Sequence, residues 1–340
     1  MRVVFDEAGT IAGLTLQPAA QSDAAVTLPS YADPASFTES EITVGTGDWK
    51  LPGTLTVPKG DGPFPALVLI HGSGPNDRDE TIGPNKPFAD LAAGLASRGV
   101  AVLRFDKRSK VYGGRMAASG DITVKDEVID DAVAAVAAAR TNTRIDPKRV
   151  FVLGHSEGGM LIPRIAAADP SIAGLIVMAG PARPIEDAIV EQTEYLARAD
   201  GVVTPDEQKA IDDMTRIRDE IRALTPADAS AHKVVFHAPA SYWLDLRGYD
   251  PPTAAKSVTQ PMLILQGERD YQVTMTEFAR WKAALGLKPT VRFKSYPALN
   301  HLMIAGEGRS LPAEYNTPGH VDRQVVDDIA AWITSVKGSI

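Results

Sequence analysis

The chain has 340 residues, of which 44% are hydrophobic, and a formal net charge of −8. This length fits one large α/β domain with an insertion. The acidic balance, without a basic stripe that could neutralise phosphates, argues against a nucleic acid as partner. The chain contains no cysteine, which excludes disulfides, thiolate catalysis and cysteine-based zinc sites.

The sequence has no segment typical of a membrane span or a secretory signal. It contains no apolar run of about 18 residues, and its first seven residues lack the apolar core of a signal peptide. We therefore expect no membrane partner and a cytoplasmic protein, with the mature form of an exported protein as the alternative.

Residues 1–38 are predicted to form an N-terminal hairpin and a linker. Two short apolar runs, residues 2–5 and 11–16, flank a turn that contains Gly9. Residues 17–37 hold three prolines and many small polar residues, which favours an extended linker. A lone hairpin is marginal in water, so we expect it to dock on the rest of the chain or to belong to a larger module.

From residue 39 onward the sequence alternates between buried strands and helices. Two stretches of alternating polarity, residues 41–44 and 49–58, predict a leading antiparallel hairpin. The later strands are predicted at residues 65–70, 100–105, 149–153, 173–178, 261–266 and 291–296, and the helices at 87–98, 124–140, 158–168, 276–285 and 321–336. This alternation predicts an α/β fold with a doubly wound, mostly parallel sheet.

The alternation is interrupted between residues 183 and 256, which are predicted to form an all-helical cap. Helices are expected at residues 184–199 and 205–224, and Thr204 and Glu207 form a capping box around the start of the second. An insertion between two parallel strands covers the carboxyl edge of the sheet, where ligands bind. The predicted domains are therefore the core at residues 39–182 and 257–340, and the cap at 183–256.

The most informative stretch is residues 150–159, where four apolar residues lead into Gly-His-Ser-Glu-Gly-Gly. A strand, a very short turn and a helix form a nucleophile elbow with Ser156 at its tip. Such a turn forces the nucleophile into an unfavourable backbone conformation and needs small residues at Gly154 and Gly158. The alternative interpretation is a glycine-rich turn with a serine helix cap.

A serine nucleophile needs a base, and the base needs a carboxylate that orients it. Asp270 comes just after the strand at residues 261–266, and His301 follows the strand at 291–296. Both are therefore expected at the same edge of the sheet as Ser156, which predicts a Ser-His-Asp triad. Glu268 is the alternative acid, although it falls closer to the strand.

The tetrahedral oxyanion of acyl transfer requires a pair of backbone donors. One is predicted to be the N–H of Glu157, directly after the nucleophile. The other is predicted to be the N–H of Ser73, in the glycine-containing loop that follows the strand at residues 65–70. Such a loop could instead cradle a phosphate, but no dinucleotide-binding or P-loop pattern accompanies it.

Four motifs together resemble the α/β-hydrolase superfamily: residues 71–75, 154–159, 267–273 and 300–301. More narrowly, they resemble bacterial cap-bearing serine esterases of the dienelactone-hydrolase-like and acyl-thioester-hydrolase-like group. The likeness covers residues 40–340, and the first hairpin resembles the last two strands of a small module that precedes the catalytic domain in some of these esterases. Dienelactone hydrolases proper use a cysteine, which this chain lacks. The resemblance implies hydrolysis of carboxylic esters with short acyl chains through an acyl-enzyme.

Four residues near the end of the predicted cap are candidates for the wall of a substrate pocket. Tyr242 and Trp243 place two aromatic rings beside charged residues, and Phe236 and His237 precede them. Packing of the cap onto the core is the alternative explanation for all four.

The remaining charged groups are assigned structural roles. Residues 106–108, Asp-Lys-Arg, are interpreted as a local ion-pair cluster that shapes a loop. His71 and His155 are expected to hold their turns by hydrogen bonds rather than to transfer protons. His232 and His320 have no partners at metal-ligand spacing, so we expect no metal, and no cofactor motif is present.

These expectations converge on a serine carboxylesterase that acts on short-to-medium acyl esters, with a small-molecule ester as its partner. The alternatives are an acyl-CoA thioesterase or a peptidase with the same triad, and a ligand-binding relative without turnover. The acidic composition gives little support for binding of the nucleotide phosphates of coenzyme A. A monomer and a homodimer are both compatible with the sequence.

Overall fold

The structure, a computed structural model, describes residues 2–5, 11–15 and 27–336. The first two segments are strands β1 (Arg2–Phe5) and β2 (Ile11–Thr15), which pair antiparallel as the sequence predicts. The turn at residues 6–10, Leu16 at the end of the predicted hairpin and residues 17–26 of the predicted linker lie outside the described residues.

The remaining described strands are β3 (Phe37–Val44), β4 (Leu51–Pro58), β5 (Phe64–Ile70), β6 (Ala101–Phe105), β7 (Ile145–His155), β8 (Gly174–Met178), β9 (Val234–Val235), β10 (Ala238–Pro239), β11 (Met262–Gly267) and β12 (Val291–Tyr296). All of them except β9 and β10 form one sheet in the order β12-β11-β8-β7-β5-β6-β4-β3. Strand β4 runs antiparallel to both of its neighbours, and the other pairs are parallel. The predicted fold class is confirmed.

The described helices are α1 (Pro87–Ala96), α2 (Arg108–Ser119), α3 (Asp130–Arg140), α4 (Glu157–Ala168), α5 (Ile185–Ala197), α6 (Pro205–Ala223), α7 (Pro226–Ser230), α8 (Ala240–Leu246), α9 (Pro251–Ala254), α10 (Met275–Leu285) and α11 (Arg323–Ser335). Within the described ranges, none of them is both long enough and apolar enough to span a bilayer.

The sheet separates two hydrophobic cores. Side chains such as Leu67 and Phe151 face α1 and α11, whereas Val68 and Val152, one residue along each strand, face α3, α4 and α10. Because both faces are covered, β5 and β8 carry no polar side chain, and β7 carries none from Val150 to Gly154.

Helix α2 is the main element that the sequence does not predict. It contains Gly113 and Gly114, which are poor helix formers, and Tyr112 has a non-helical φ of −125° that kinks the helix. In addition, the helix predicted from residue 124 begins with a π-helical turn, Lys125–Ile129, before α3. Such turns are rare, and no sequence pattern announces them.

The chain between β8 and β11 contains helices α5 to α9, together with the two-stranded antiparallel sheet of β9 and β10. The expectation of an all-helical insertion is therefore wrong in this detail. The predicted capping box is present, since Thr204 Oγ1 accepts the N–H of Glu207 and Glu207 Oε2 accepts the N–H of Thr204. The division into core and cap domains stays a prediction.

Candidate active site

Ser156 lies on the tight turn between β7 and α4. Its backbone has φ 51° and ψ −118°, a conformation that costs free energy for any residue with a side chain. A Cβ on Gly154 would collide with the carbonyl of Gly158, and one on Gly158 would lie 2.6 Å from the carbonyl oxygen of Ile70. The turn thus has the backbone conformation and the small residues that the sequence predicts.

Asp270 and His301 lie side by side in the loops that follow the adjacent strands β11 and β12. His301 Nδ1 is 2.7 Å from Asp270 Oδ2, and both side chains are buried. Asp270 Oδ1 accepts the N–H groups of Gln272 and Val273 at 2.8 and 3.0 Å, and Gln266 Nε2 donates to Oδ2 at 3.1 Å. Because a carboxylate only accepts, Nδ1 of His301 carries a proton and Nε2 is the nitrogen left for proton exchange.

The loop that carries His301 is attached directly to the serine turn. His155, the neighbour of Ser156, donates through Nε2 to the carbonyl of His301 at 3.0 Å, and the two imidazole rings are 4.7 Å apart. Among the described residues, no hydrogen bond joins Ser156 Oγ to His301. Such bonds are often long in ligand-free enzymes. The predicted triad residues therefore meet in one place, and their catalytic roles stay a prediction.

Glu268, the alternative acid, lies apart from His301. Its Oε1 accepts the hydroxyl of Ser295 at 2.8 Å in an exposed position. Asp270 is thus the carboxylate that contacts the histidine.

The loop after β5 passes next to the serine. A Cβ placed on Gly72 would lie 3.1 Å from Ser156 Cβ and 3.6 Å from Ser156 Oγ. The N–H of Gly72 is occupied, because it donates to Glu80 Oε1 at 2.6 Å. By contrast, the N–H groups of Ser73 and Glu157 donate to no acceptor within the described part of the chain. Two unengaged donors therefore flank the serine.

The side chain of Glu157 is buried behind the serine turn. Its Oε2 accepts a hydrogen bond from Lys107 Nζ at 3.1 Å, and its Oε1 accepts one from the hydroxyl of Tyr242. Burial, followed by the charge of Glu157, raises the pKa of Tyr242 well above its usual value, so the phenol is a neutral donor. Sequence reasoning left the place of this carboxylate open.

Residues 106–108 do not form a local cluster, so that expectation is wrong. Asp106, Lys107 and Arg108 instead pair with Arg78, Glu157 and Asp131, at 3.2, 3.1 and 2.5 Å. The backbone is extended at Lys107 and helix α2 begins at the next residue, so the three side chains point in different directions.

His155 holds its turn through one hydrogen bond, as predicted, and through an ion-pair contact with Glu80. Besides its bond to His301, its Nδ1 lies 2.8 Å from Glu80 Oε2. Burial alone would lower the pKa of His155, but the attraction of Glu80 outweighs it and raises the pKa. Sequence reasoning missed Glu80, because nothing distinguishes it from the nearby Asp77 and Asp79.

His71 does not behave as predicted. It packs against the rings of Phe88 and Phe105, with ring centres 5.2 and 5.4 Å away, and its Nε2 has no hydrogen-bond partner among the described residues. Burial lowers the pKa of His71 to about 4, so it is neutral near pH 7.

A cavity of about 760 Å³ opens above Ser156. The candidate pocket residues Tyr242, Trp243, Phe236 and His237 all lie in its wall, and most of the rest of the wall is apolar. No lysine or arginine occurs among the described residues that line it. Phe236 and His237 have φ values of 43° and 65° and form the turn between β9 and β10, where left-handed backbone favours glycine.

His232 and His320 each contact a single carboxylate. Nδ1 of His232 is 3.0 Å from Asp121, and Nδ1 of His320 is 3.0 Å from Asp90. No group of three or more potential metal ligands occurs in the described ranges. The absence of a metal stays a prediction.

A mostly parallel sheet, a serine on a strand-to-helix turn and an Asp-His pair after later strands define an α/β-hydrolase. Comparison with known families supports the same class. Residues 67–309 match the hydrolase family described as serine aminopeptidase, S33, and the chain belongs to this family.

The chain also resembles individual proteins. It is 45% identical over 331 residues to Esterase EstD of Thermotoga maritima, covering 97% of this chain and 75% of the relative. It is 26% identical over 305 residues to a monoacylglycerol lipase of Mycolicibacterium smegmatis, covering 88% and 99% of the two chains. The structure of Est1E from Butyrivibrio proteoclasticus has the same fold, with a TM-score of 0.54, 17% identity and coverage of 87% and 99%. The predicted family, fold and hydrolase class are confirmed.

Proposed function

We propose that the protein is a serine carboxylesterase that hydrolyses short-to-medium acyl esters through an acyl-enzyme. The observation that carries this proposal is the buried Asp270–His301 pair beside the strained Ser156, which lines a largely apolar cavity. The names of the relatives, an esterase and a monoacylglycerol lipase, support the same activity.

In this mechanism His301 Nε2 takes the proton of Ser156 Oγ as the oxygen attacks the ester carbonyl. Asp270 keeps the proton on Nδ1 and stabilises the imidazolium. The N–H groups of Ser73 and Glu157 bind the oxyanion. His301 then protonates the leaving alcohol, and a water molecule activated by the same base releases the acid and regenerates the serine.

The composition of the cavity wall favours a small neutral ester over the alternative substrates. The described wall of the cavity contains no lysine or arginine that could pair with the phosphates of an acyl-CoA. Its two carboxylates, Glu127 and Glu157, face Lys107 at 3.7 and 3.1 Å and are therefore not free to anchor a substrate amine. We propose no nucleic acid or membrane as partner.

The test compares p-nitrophenyl esters from acetate to palmitate with acyl-CoA thioesters and amino-acid p-nitroanilides. We expect kcat/KM to rise by about fourfold for each added methylene until the cavity is filled, because each buried methylene contributes about 0.8 kcal/mol. Thioesters and anilides should react much more slowly. A preference for either of them would contradict the proposed substrate class.

The Ser156→Ala variant tests the nucleophile. We expect kcat to fall by about 10⁶-fold, as it does when the serine of such a triad is removed. An organophosphonate should label the unaltered protein and not this variant. If the variant kept its activity, or if the unaltered protein were not labelled, the acyl-enzyme mechanism would be wrong, and in the second case a receptor without turnover would be favoured.

A further inference from the structure

Lys107 is a fully buried ammonium group that the proposed mechanism does not use. Its side chain is 3% exposed, and it lies between β6 and α2. Nζ donates to the carbonyl of Gly72 at 2.9 Å and to Glu157 Oε2 at 3.1 Å, and Glu127 Oε1 is 3.7 Å away. Burial alone would lower the pKa of Lys107, but Glu127 and Glu157 outweigh this effect and raise it, so the group is charged.

The contact with Gly72 fixes the direction of the Ser73 N–H. The carbonyl of Gly72 and the N–H of Ser73 belong to one planar peptide group, so they point in opposite directions and turn together. Asn76 Nδ2 also donates to this carbonyl, at 3.1 Å, and Glu80 holds the preceding N–H. A cation on the carbonyl polarises the peptide and makes its N–H a stronger donor.

The contact with Glu157 involves the second donor. The backbone N–H of Glu157 lies in the first turn of α4, and the carboxylate of the same residue accepts a hydrogen bond from Lys107 Nζ. The backbone N–H of Lys107 also donates to the carbonyl of Asn76 at 3.0 Å, which ties the strand end to the Gly72 loop. One side chain therefore connects the two segments that carry the unengaged N–H groups.

We propose that Lys107 is the positioning residue of the oxyanion hole, holding the Ser73 and Glu157 N–H groups at the spacing that the tetrahedral intermediate requires. This inference rests on the proposed function, because it assumes that those two groups bind the oxyanion. Lys107 itself does not touch the substrate. It acts on the transition state through the peptide that it orients.

The test is the Lys107→Met variant, which keeps an unbranched side chain and removes the charge. We expect kcat to fall about 10- to 100-fold, less than the 10²- to 10³-fold of a lost oxyanion donor, with KM changed by no more than about threefold. The matched control is Arg140→Met, which breaks the ion pair with Asp169 (2.8 Å) at the far ends of α3 and α4. Its kcat should be unchanged.

Inhibitor binding separates positioning from a general loss of structure. A trifluoromethyl ketone forms a bond between its carbonyl carbon and Ser156 Oγ, passes the serine proton to His301 and leaves an oxyanion. Its inhibition constant should rise by the same factor by which kcat falls, whereas that of the matching secondary alcohol, which forms no oxyanion, should not change. An unchanged kcat, or equal weakening of both inhibitors, would overturn the proposal.

A second variant covers the case in which Lys107→Met does not fold. Glu157→Gln keeps one acceptor oxygen for Lys107 and presents an amide N–H that the Tyr242 hydroxyl can accept. It removes the charge that fixes the ammonium, so we expect the same kcat-specific loss at about threefold to tenfold. An unaltered kcat in a folded Glu157→Gln protein would also refute the inference. Ser156→Ala is measured in parallel: if it remains active, the proposed function fails, and if it is inactive while the Lys107 and Glu157 variants are normal, only this inference fails.

Discussion

On one side of Ser156, the proposed acid Asp270 is held by residues that are close to it in sequence, whereas on the other side the proposed oxyanion donors are held by contacts between distant segments. The donors to Asp270 from Gln266, Gln272 and Val273 come from two to four residues away. The contacts of Lys107 with Gly72 and with Glu157 span 35 and 50 residues, and the bond from Tyr242 to Glu157 spans 85.

This difference separates a part of the site that short-range contacts hold from a part that contacts between distant segments hold. Strands β11 and β12 are parallel neighbours with Gly267 opposite Tyr296, so the loops that follow them bring Asp270 and His301 together. The donor side consists of the Ser73 and Glu157 N–H groups and the side chains that hold them. Its residues come from the loop after β5, the β6–α2 connection, α4 and α8. Substitutions on the two sides should therefore affect the protein differently.

The largest effect is expected on the acid–base side. Asp270→Asn should lower kcat by about 10⁴-fold, because an amide can hold His301 in the wrong tautomer. Folding should be nearly intact, since the backbone N–H groups of Gln272 and Val273 still have an acceptor. The measurement is kcat on the best p-nitrophenyl ester, with far-ultraviolet circular dichroism as the check on folding.

Glu268→Gln is the matched control for this prediction. It removes an exposed carboxylate two residues away that accepts a hydrogen bond from the Ser295 hydroxyl, and kcat should stay within about twofold. The opposite pattern, an inactive Glu268→Gln and an active Asp270→Asn, would mean that Glu268 is the acid.

The same difference explains how much of the site the sequence could predict. Ser156, Asp270 and His301 each follow a strand that the sequence predicts, and the carboxyl ends of parallel strands share one edge, so the order of the strands brings the three residues together. Lys107 and Tyr242 belong to no motif with Glu157, and no spacing rule connects three segments so far apart in the chain. The sheet was predictable for the same reason as the triad. Helix α2 was not, because Gly113 and Gly114 are typical of a loop.

An intermediate effect, on stability, is expected for His71, which directly precedes Gly72. Its folded pKa of about 4 lies below the unfolded value of 6.5, so the unfolded chain binds a proton in this window that the folded chain does not. Stability is therefore unaffected above pH 6.5 and decreases as the pH falls toward 4, by about 3 kcal/mol. In His71→Leu this contribution is absent, and the free energy of unfolding should fall less over the same range.

Urea unfolding of both chains near pH 7 and near pH 4 measures this difference. Asp131 works in the opposite direction, since burial raises its pKa to about 6 and its contribution grows as the pH falls. It is present in both chains and cancels when their pH dependences are subtracted. Parallel pH dependences would show that His71 is protonated in the folded protein and has a partner.

The smallest effect is expected for the link between α8 and the serine turn. Tyr242→Phe keeps the ring in the cavity wall and removes the hydroxyl that donates to Glu157. The free energy of unfolding should fall by about 1 to 2 kcal/mol, because a buried hydrogen bond to a charged group is lost. Lys107 still holds the carboxylate, so kcat should fall by no more than about tenfold.

Steady-state kinetics and urea unfolding of Tyr242→Phe decide whether the insertion contributes to catalysis or only covers the active site. A change in KM alone would make Tyr242 a pocket wall residue, and the donor side would then be complete within the core. A drop in kcat with constant KM would extend the donor side into the insertion, as the chain of contacts from Tyr242 through Glu157 to Lys107 requires. A loss approaching that of Asp270→Asn would contradict both, since it would put the phenol among the reacting groups.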